Sequence, residues 1–308
     1  MKFVKYLTAM ALAALTLLSG ANTNIASDTD NVKFRELIFS DELYSQKIVD
    51  SNEMTLEEMY DLYNGTLITD EEAVKIVAKH TREDVTSYKR IKKGTIVKDN
   101  VKFVKAVTDR GEANWGGYIV ESSKITEASG RFTVISNPPA NAFSGPALGA
   151  FVGIGGVNSG SLIQSGVSFY HKKAFIEMLP ADPMYVFNVN TGDIIHASVS
   201  WDVDYRQWAC IVMNMSTSNY YLGLYTYNAD RTTAEWVIEN ARNSAINKIE
   251  RINFTNCFWT NDIGTGYPGN TQNINSDSSK VLYRVKIFGT NYPSAINSDG
   301  RSFSMSYN

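Results

Sequence analysis

At 308 residues the chain is long enough for one large domain, or two ordinary ones with accessory segments, so a sizeable core can be buried. Its 29 Lys and Arg against 32 Asp and Glu leave a formal charge of -3, which gives no electrostatic reason to expect nucleic acid as a partner. The first residues read as an export signal: Lys2 and Lys5, an apolar run from Tyr6 to Leu18, then Ser19, Gly20 and Ala21. That run falls short of the ~20 residues a membrane-spanning helix needs, and no cysteine follows it for lipid attachment. Removal of residues 1–21 and secretion are therefore expected, with no membrane association afterwards.

Residues 22–107 differ in composition from everything that follows, being charged, helix-friendly and poor in Gly and Trp. Thr55 to Tyr63 places Leu56, Met59, Tyr60 and Tyr63 at helical spacing, and Thr55 with Glu58 forms a capping-box pattern. Thr69 to His80 has the same character, with Asp70 and Glu71 in its first turn and Lys79 and His80 in its last. A basic run, Lys89 to Lys93, and a lysine-containing linker follow. Such a segment between an export signal and a β-rich domain reads as a helical propeptide that covers an active-site face or assists slow β folding, with processing expected near Lys93 to Arg110. An ordinary N-terminal interaction domain is the alternative.

From residue 108 to 308 the pattern is β. Runs such as GGYIVES, RFTVISN, MYVFNVN, ACIVMNMS and NYYLGLYTY recur at short intervals between Gly, Asn, Pro and Asp turns, with NVNTGD as a tight-turn signal. An all-β sandwich follows, rather than βαβ units. Export permits a disulfide between the two cysteines, Cys210 and Cys257, each in a strand-like run; two free buried thiols are the alternative. Asp202 and Asp204 fall on one face by alternation, which favours a solvated face over a calcium site. The aromatic run Tyr220, Tyr221, Tyr225 and Tyr227 reads as cross-strand packing before it reads as substrate contact.

Within this domain, Leu162 to Tyr170 alternates like a half-exposed strand, with Leu162, Gln164, Gly166 and Ser168 on one face and Ile163, Ser165 and Val167 on the other. Ala234 to Glu239 alternates too, with Ala234, Trp236 and Ile238 core-like and Glu235, Val237 and Glu239 opposite. If both strands lie in one sheet, a carboxamide and a carboxylate share one surface. The segments FVGIGG (from Phe151), LIQSGV (from Leu162) and AEWVIE (from Ala234) resemble the glutamic peptidases, or eqolisins. NWGG at Asn114, FTV at Phe132, FIEMLP at Phe175, GD at Gly192 and the closing SFSMSY at Ser302 fall in that family's order, so the resemblance covers roughly residue 112 to the end.

The resemblance implies a sandwich of two bent antiparallel sheets, concanavalin- or lectin-like, with a cleft on one concave face. It implies hydrolysis of a polypeptide by water, with Glu235 as general acid/base and Gln164 as oxyanion donor, and needs no metal or cofactor. By the same resemblance Trp115 and Phe151, the latter replacing a family Trp, line the cleft, and Glu177 supports the pair. The family often carries acids where Gly155 and Ser168 stand here, so the like-charge contribution to the pKa of Glu235 is reduced. A monomer is expected.

Other chemistries find little support. His80, His171 and His196 are the only histidines, no GxSxG, HExxH or DTG occurs, and GIGG is too short for a phosphate loop. Two rival functions remain: a catalytically silent sandwich binding carbohydrate or peptide, and a glycosidase pairing Glu235 with Glu239 or Glu177.

Overall fold

A computed structural model describes residues 53–96, 115–137, 147–157, 159–241, 249–262, 269–275, 281–285 and 293–307. The expected export signal, the start of the propeptide segment and the expected processing region lie outside these residues, apart from Lys93 to Ile96.

The chain begins with strand β1 (Glu53–Thr55), helices α1 (Leu56–Leu62) and α2 (Asp70–Thr81), and strands β2 (Lys89–Arg90) and β3 (Lys93–Ile96). Both helices start as the sequence predicts, on capping boxes. The Thr55 and Thr69 side chains accept the Glu58 and Glu72 amides, and each Glu reaches back to its cap. The basic run Lys89 to Lys93 is strand at both ends.

Fourteen further strands follow: β4 (Trp115–Glu121), β5 (Ile125–Thr133), β6 (Leu148–Gly155), β7 (Leu162–Ser168), β8 (Lys173–Met178), β9 (Met184–Asn188), β10 (Ile194–Asp202), β11 (Gln207–Asn214), β12 (Asn219–Tyr225), β13 (Thr233–Asn240), β14 (Ile249–Asn261), β15 (Gln272–Asn273), β16 (Val281–Val285) and β17 (Phe303–Tyr307). The expected all-β sandwich is what forms. One sheet has the order β1-β3-β9-β8-β7-β6-β13-β4-β16; the other runs β15-β14-β5-β10-β11-β12-β2, with β17 paired to β14. Every pairing is antiparallel except β2 on β12. Between the sheets lies one continuous apolar core, to which the first sheet contributes Val152, Ile163, Ile176, Ala234, Trp236 and Ile238 and the second Val199, Cys210, Val212 and Trp259.

The N-terminal segment is stitched into both sheets. β3 pairs with β9, β2 adds to β12, and Leu56, Met59 and Tyr60 of α1 enter the main core. Ala73, Ile76 and Val77 of α2 pack on the outer face of the second sheet, against Ala209, Ile211, Met213 and Leu222. Charge reinforces this seat: Arg82 donates to both oxygens of buried Glu127, at 2.8 and 3.2 Å, and His80 meets Asp202 at 2.8 Å. Asp202 is thus fully buried, not on a solvated face. Burial alone would raise its pKa, but His80 and Lys79 outweigh burial and hold it well below the usual range. Among the described residues no group of acids, His and Cys is arranged to hold a metal ion.

The cysteine alternative left open by the sequence resolves in favour of two free, buried thiols. Cys210 lies on β11 and Cys257 on β14, with β5 and β10 between them. At about 4.8 Å per strand their Cα atoms are roughly 14 Å apart, twice the reach of a disulfide. Tyr220, Tyr221 and Tyr225 are likewise buried, so packing is their role. Electrophoresis of the protein is expected to show no mobility difference with and without reductant, and both thiols are expected to react with a maleimide only after denaturation. Asp202→Ala, which strands His80 in the α2 interface, is expected to cost about 3 kcal/mol of stability by chemical denaturation.

Candidate active site

Strand register assembles the site. Glu235 on β13 pairs with Gly153 on β6, Gly153 with Gln164 on β7, and Gln164 with Glu177 on β8. Directly paired residues point to the same side of a sheet, so one row crosses four strands on the face turned away from the main core. The alternation read from the sequence holds on both strands: Ile163, Ala234 and Trp236 go inward, Leu162 and Val237 outward.

Glu235 and Gln164 are two strands apart, roughly 10 Å between Cα atoms, and the strand between them contributes a glycine. A Cβ at Gly153 would lie 3.3 Å from Glu235 Oε2 and 3.1 Å from Leu162 Cδ1. The absent side chain is what leaves room between carboxylate and carboxamide. Gln164 Nε2 donates a hydrogen bond to Glu177 Oε2, so the expected support by Glu177 is a direct contact that fixes which way the amide points. Gln164 Oε1 and both oxygens of Glu235 have no hydrogen-bond partner.

The sequence predicts a half-exposed face, and here the structure differs: Gln164 and Glu235 are fully buried. Along the row's flanks lies a second apolar cluster that includes Trp115, Ile119, Phe151, Phe175, Tyr185 and Val237. Trp115 meets Phe151 edge to face, with ring centroids 5.3 Å apart. Both residues therefore sit on the same face of the sheet as the row. No residue of 53–96 belongs to this apolar cluster.

Burial pushes the Glu235 carboxyl well above the usual carboxylate range, because no polar partner replaces the water it has lost. The Thr233 hydroxyl, two residues back on the same face, lowers it by less without reaching hydrogen-bond geometry, and the Asp230 charge adds to the rise. Two acids of the family pattern are missing for local reasons. Gly155 has φ of +90°, and a Cβ there would lie 2.4 Å from the Ser161 carbonyl oxygen, so the backbone demands glycine. Ser168 is buried and its Oγ accepts the His171 amide at 3.1 Å, closing the turn after β7. The Gln164–Glu177 contact was legible only as motif order, since 13 residues and a turn separate the two in sequence.

Two solved structures resemble the chain. Scytalido-glutamic peptidase with a peptide-based transition state analog aligns with TM-score 0.47 and 23% identity, over 64% of this chain and 98% of that one. SCP-B, described as a member of the eqolisin family and solved with the tripeptide Ala-Ile-His, aligns with TM-score 0.45 and 21% identity, over 64% and 98%. A search of the curated proteins returned no match. The family model for the Peptidase A4 family matches residues 113–293, a span that contains the whole row from Glu235 to Glu177. Since that match takes in more than half of the 308 residues, the chain belongs to the Peptidase A4 family, the glutamic peptidases or eqolisins, and is a peptidase.

Proposed function

We propose that the protein is a secreted endopeptidase, made as a precursor, in which Glu235 and Gln164 hydrolyse a polypeptide without metal or cofactor. The observation that carries this reading is the shared row: an unpartnered buried carboxylate and an oriented carboxamide flank a glycine-lined gap. A water held in that gap gives its proton to the Glu235 carboxylate as its oxygen attacks the scissile carbonyl carbon. The carbonyl oxygen takes up negative charge and accepts a hydrogen bond from the Gln164 side-chain N–H. When the C–N bond breaks, protonated Glu235 gives its proton to the departing nitrogen, which restores the carboxylate and releases acid and amine. Glu177 accepts one N–H of the Gln164 amide and so fixes its orientation, leaving the second N–H to donate to the developing charge.

Burial supports the precursor part of the reading. A general base must be ionised and its gap open to water and substrate, yet here both groups are closed off and Glu235 is biased to the neutral form. Uncovering the face would restore hydration, lower the Glu235 pKa and admit substrate in one step. The docking of residues 53–96 on both sheets suggests that they remain attached when processing occurs downstream of them.

Cleavage of an unfolded protein, followed from about pH 2 to 8 with the processed chain, tests this. Activity is expected to survive serine, cysteine and metal inhibitors, and to fall at least about 10³-fold in both Glu235→Gln and Gln164→Ala. Glu177→Ala is expected to lower kcat about 10- to 100-fold with little change in KM, because it loosens a donor used mainly in the transition state. A folded wild-type chain inert at every pH would reduce the likeness to one of fold and leave a binding module.

A second expectation concerns the covered form. The folded pKa of Glu235 lies above its unfolded value near 4.5, so the folded state holds this proton more tightly. Its stability contribution is fully present below about pH 4.5 and is lost as pH rises through the folded pKa. Glu235→Gln, which needs no ionisation, is expected to melt at higher temperature than the parent at pH 7, with the difference vanishing at pH 4.

A further inference from the structure

The basic run Lys89 to Lys93 plays no part in the site so far described, yet it forms a wall of a cavity of about 630 Å³. The wall opposite comes from β8 and β9, including Lys173 and Tyr185. Lys89, Arg90, Lys92, Lys93 and Lys173 line this space against one described acid, Glu53. Lys93 is paired with Glu53 at 3.0 Å and Lys92 with Asp70 at 2.8 Å, but these partners are exposed and hold their lysines weakly. Lys89 and Lys173 have no ion-pair partner among the described residues. The Arg90 side chain is only 4% exposed, and one of its nitrogens is held by Asp70 and the Ile68 and Thr69 carbonyls. The cations around this space outnumber its one acid, a setting that favours an anionic ligand.

The cavity's position is as informative as its charge. Thr95 pairs with Tyr185, Glu53 with Thr95, and Phe175 with Tyr185. Phe175 and Tyr185 belong to the apolar cluster beside the Gln164 row, so Lys93, Thr95 and Glu53 share that outer face. Gly94 confirms the parity from the other side, since a Cβ there would run into Met59 and Met184 of the main core. Lys173 lies on the same strand as Glu177, four residues along, with Ser168 opposite it as Gln164 is opposite Glu177. Four residues of strand are roughly 13 Å, the distance that about four residues of an extended peptide would cover.

We infer that this cavity is an exosite for acidic side chains of the polypeptide substrate, engaging Asp or Glu residues about four positions from the bond that Glu235 and Gln164 cleave. The inference rests on the peptidase reading above and assigns that same face a substrate class. Carboxylates of the substrate pair with the free ammonium groups of Lys89 and Lys173. The cost of ordering an extended chain across the sheet is then offset at a point away from the reacting atoms.

The test uses the processed chain with residues 53–96 still attached and two internally quenched peptides that differ only in having two Glu or two Gln about four residues from the cleaved bond, placed on each side in turn. In about 20 mM salt the Glu peptide is expected to show at least a fivefold higher kcat/KM on one of the two sides, and about 0.5 M salt should erase that advantage. Lys93→Gln with Lys173→Gln should bring the ratio of the two peptides close to one. Equal kcat/KM at low salt on both sides, or an advantage that the double variant keeps, would overturn the exosite. Binding of a fluorescent Glu-bearing peptide to the Glu235→Gln chain separates the two readings. Binding lost in the lysine variant, with no turnover by the parent chain, would support the anionic site and sink the peptidase mechanism. Turnover of both peptides without charge preference would do the reverse.

Discussion

Everything at the candidate site hangs on the register of three neighbouring strands. β13, β6 and β7 are aligned so that Glu235, Gly153 and Gln164 stand side by side. A slip of one residue in either pairing would send Glu235 or Gln164 into the core between the sheets, where an uncompensated polar group costs several kcal/mol. The inward residues fix that register: Trp236, Val152 and Ile163 fill the core and cannot change faces without exposing it. Packing on one side of the sheet therefore sets chemistry on the other. The Trp236 indole adds a specific tie, donating to the Ser129 carbonyl of the opposite sheet at 2.8 Å.

The same sheet shows why glycine matters at two of its positions. Gly153 supplies space between the Glu235 and Gln164 side chains, and Gly155, at the end of that strand, supplies a backbone conformation that leaves no room for a side chain. The loss of a family acid at Gly155 follows from local backbone geometry. It leaves burial, more than neighbouring charge, as the force that sets the Glu235 pKa. A site tuned by burial responds to being uncovered, whereas one tuned by fixed neighbouring charges would respond much less.

The N-terminal segment has a dual character. Its helices carry their own start signals, yet its stability is borrowed from the sandwich, through α1 in the core, α2 on the second sheet and two short strands that extend both sheets. A segment held by strand pairing, apolar burial and the Arg82–Glu127 and His80–Asp202 contacts is a working part of the fold. Its basic strands then end up beside the face that carries Glu235, which no feature of their own sequence announces.

Local rules written in the sequence determined a good deal. The two capping boxes, the period-two alternation of Leu162 to Ser168 and Ala234 to Glu239, and the turn at Gly192 each depend on residues within a few positions of one another, and each is found as read. Motif order added the pairing of Gln164 with Glu235 and the placement of Trp115, Phe151 and Glu177 on one face. Tertiary structure decided the rest, because each remaining feature depends on which strands become neighbours. Cys210 and Cys257 stay apart because two strands come between them. Asp202 is buried because α2 brings His80 to it across 122 residues of sequence. The face read as half-exposed is closed because burial depends on what the whole chain lays over a strand, and alternation reports only which side a residue faces.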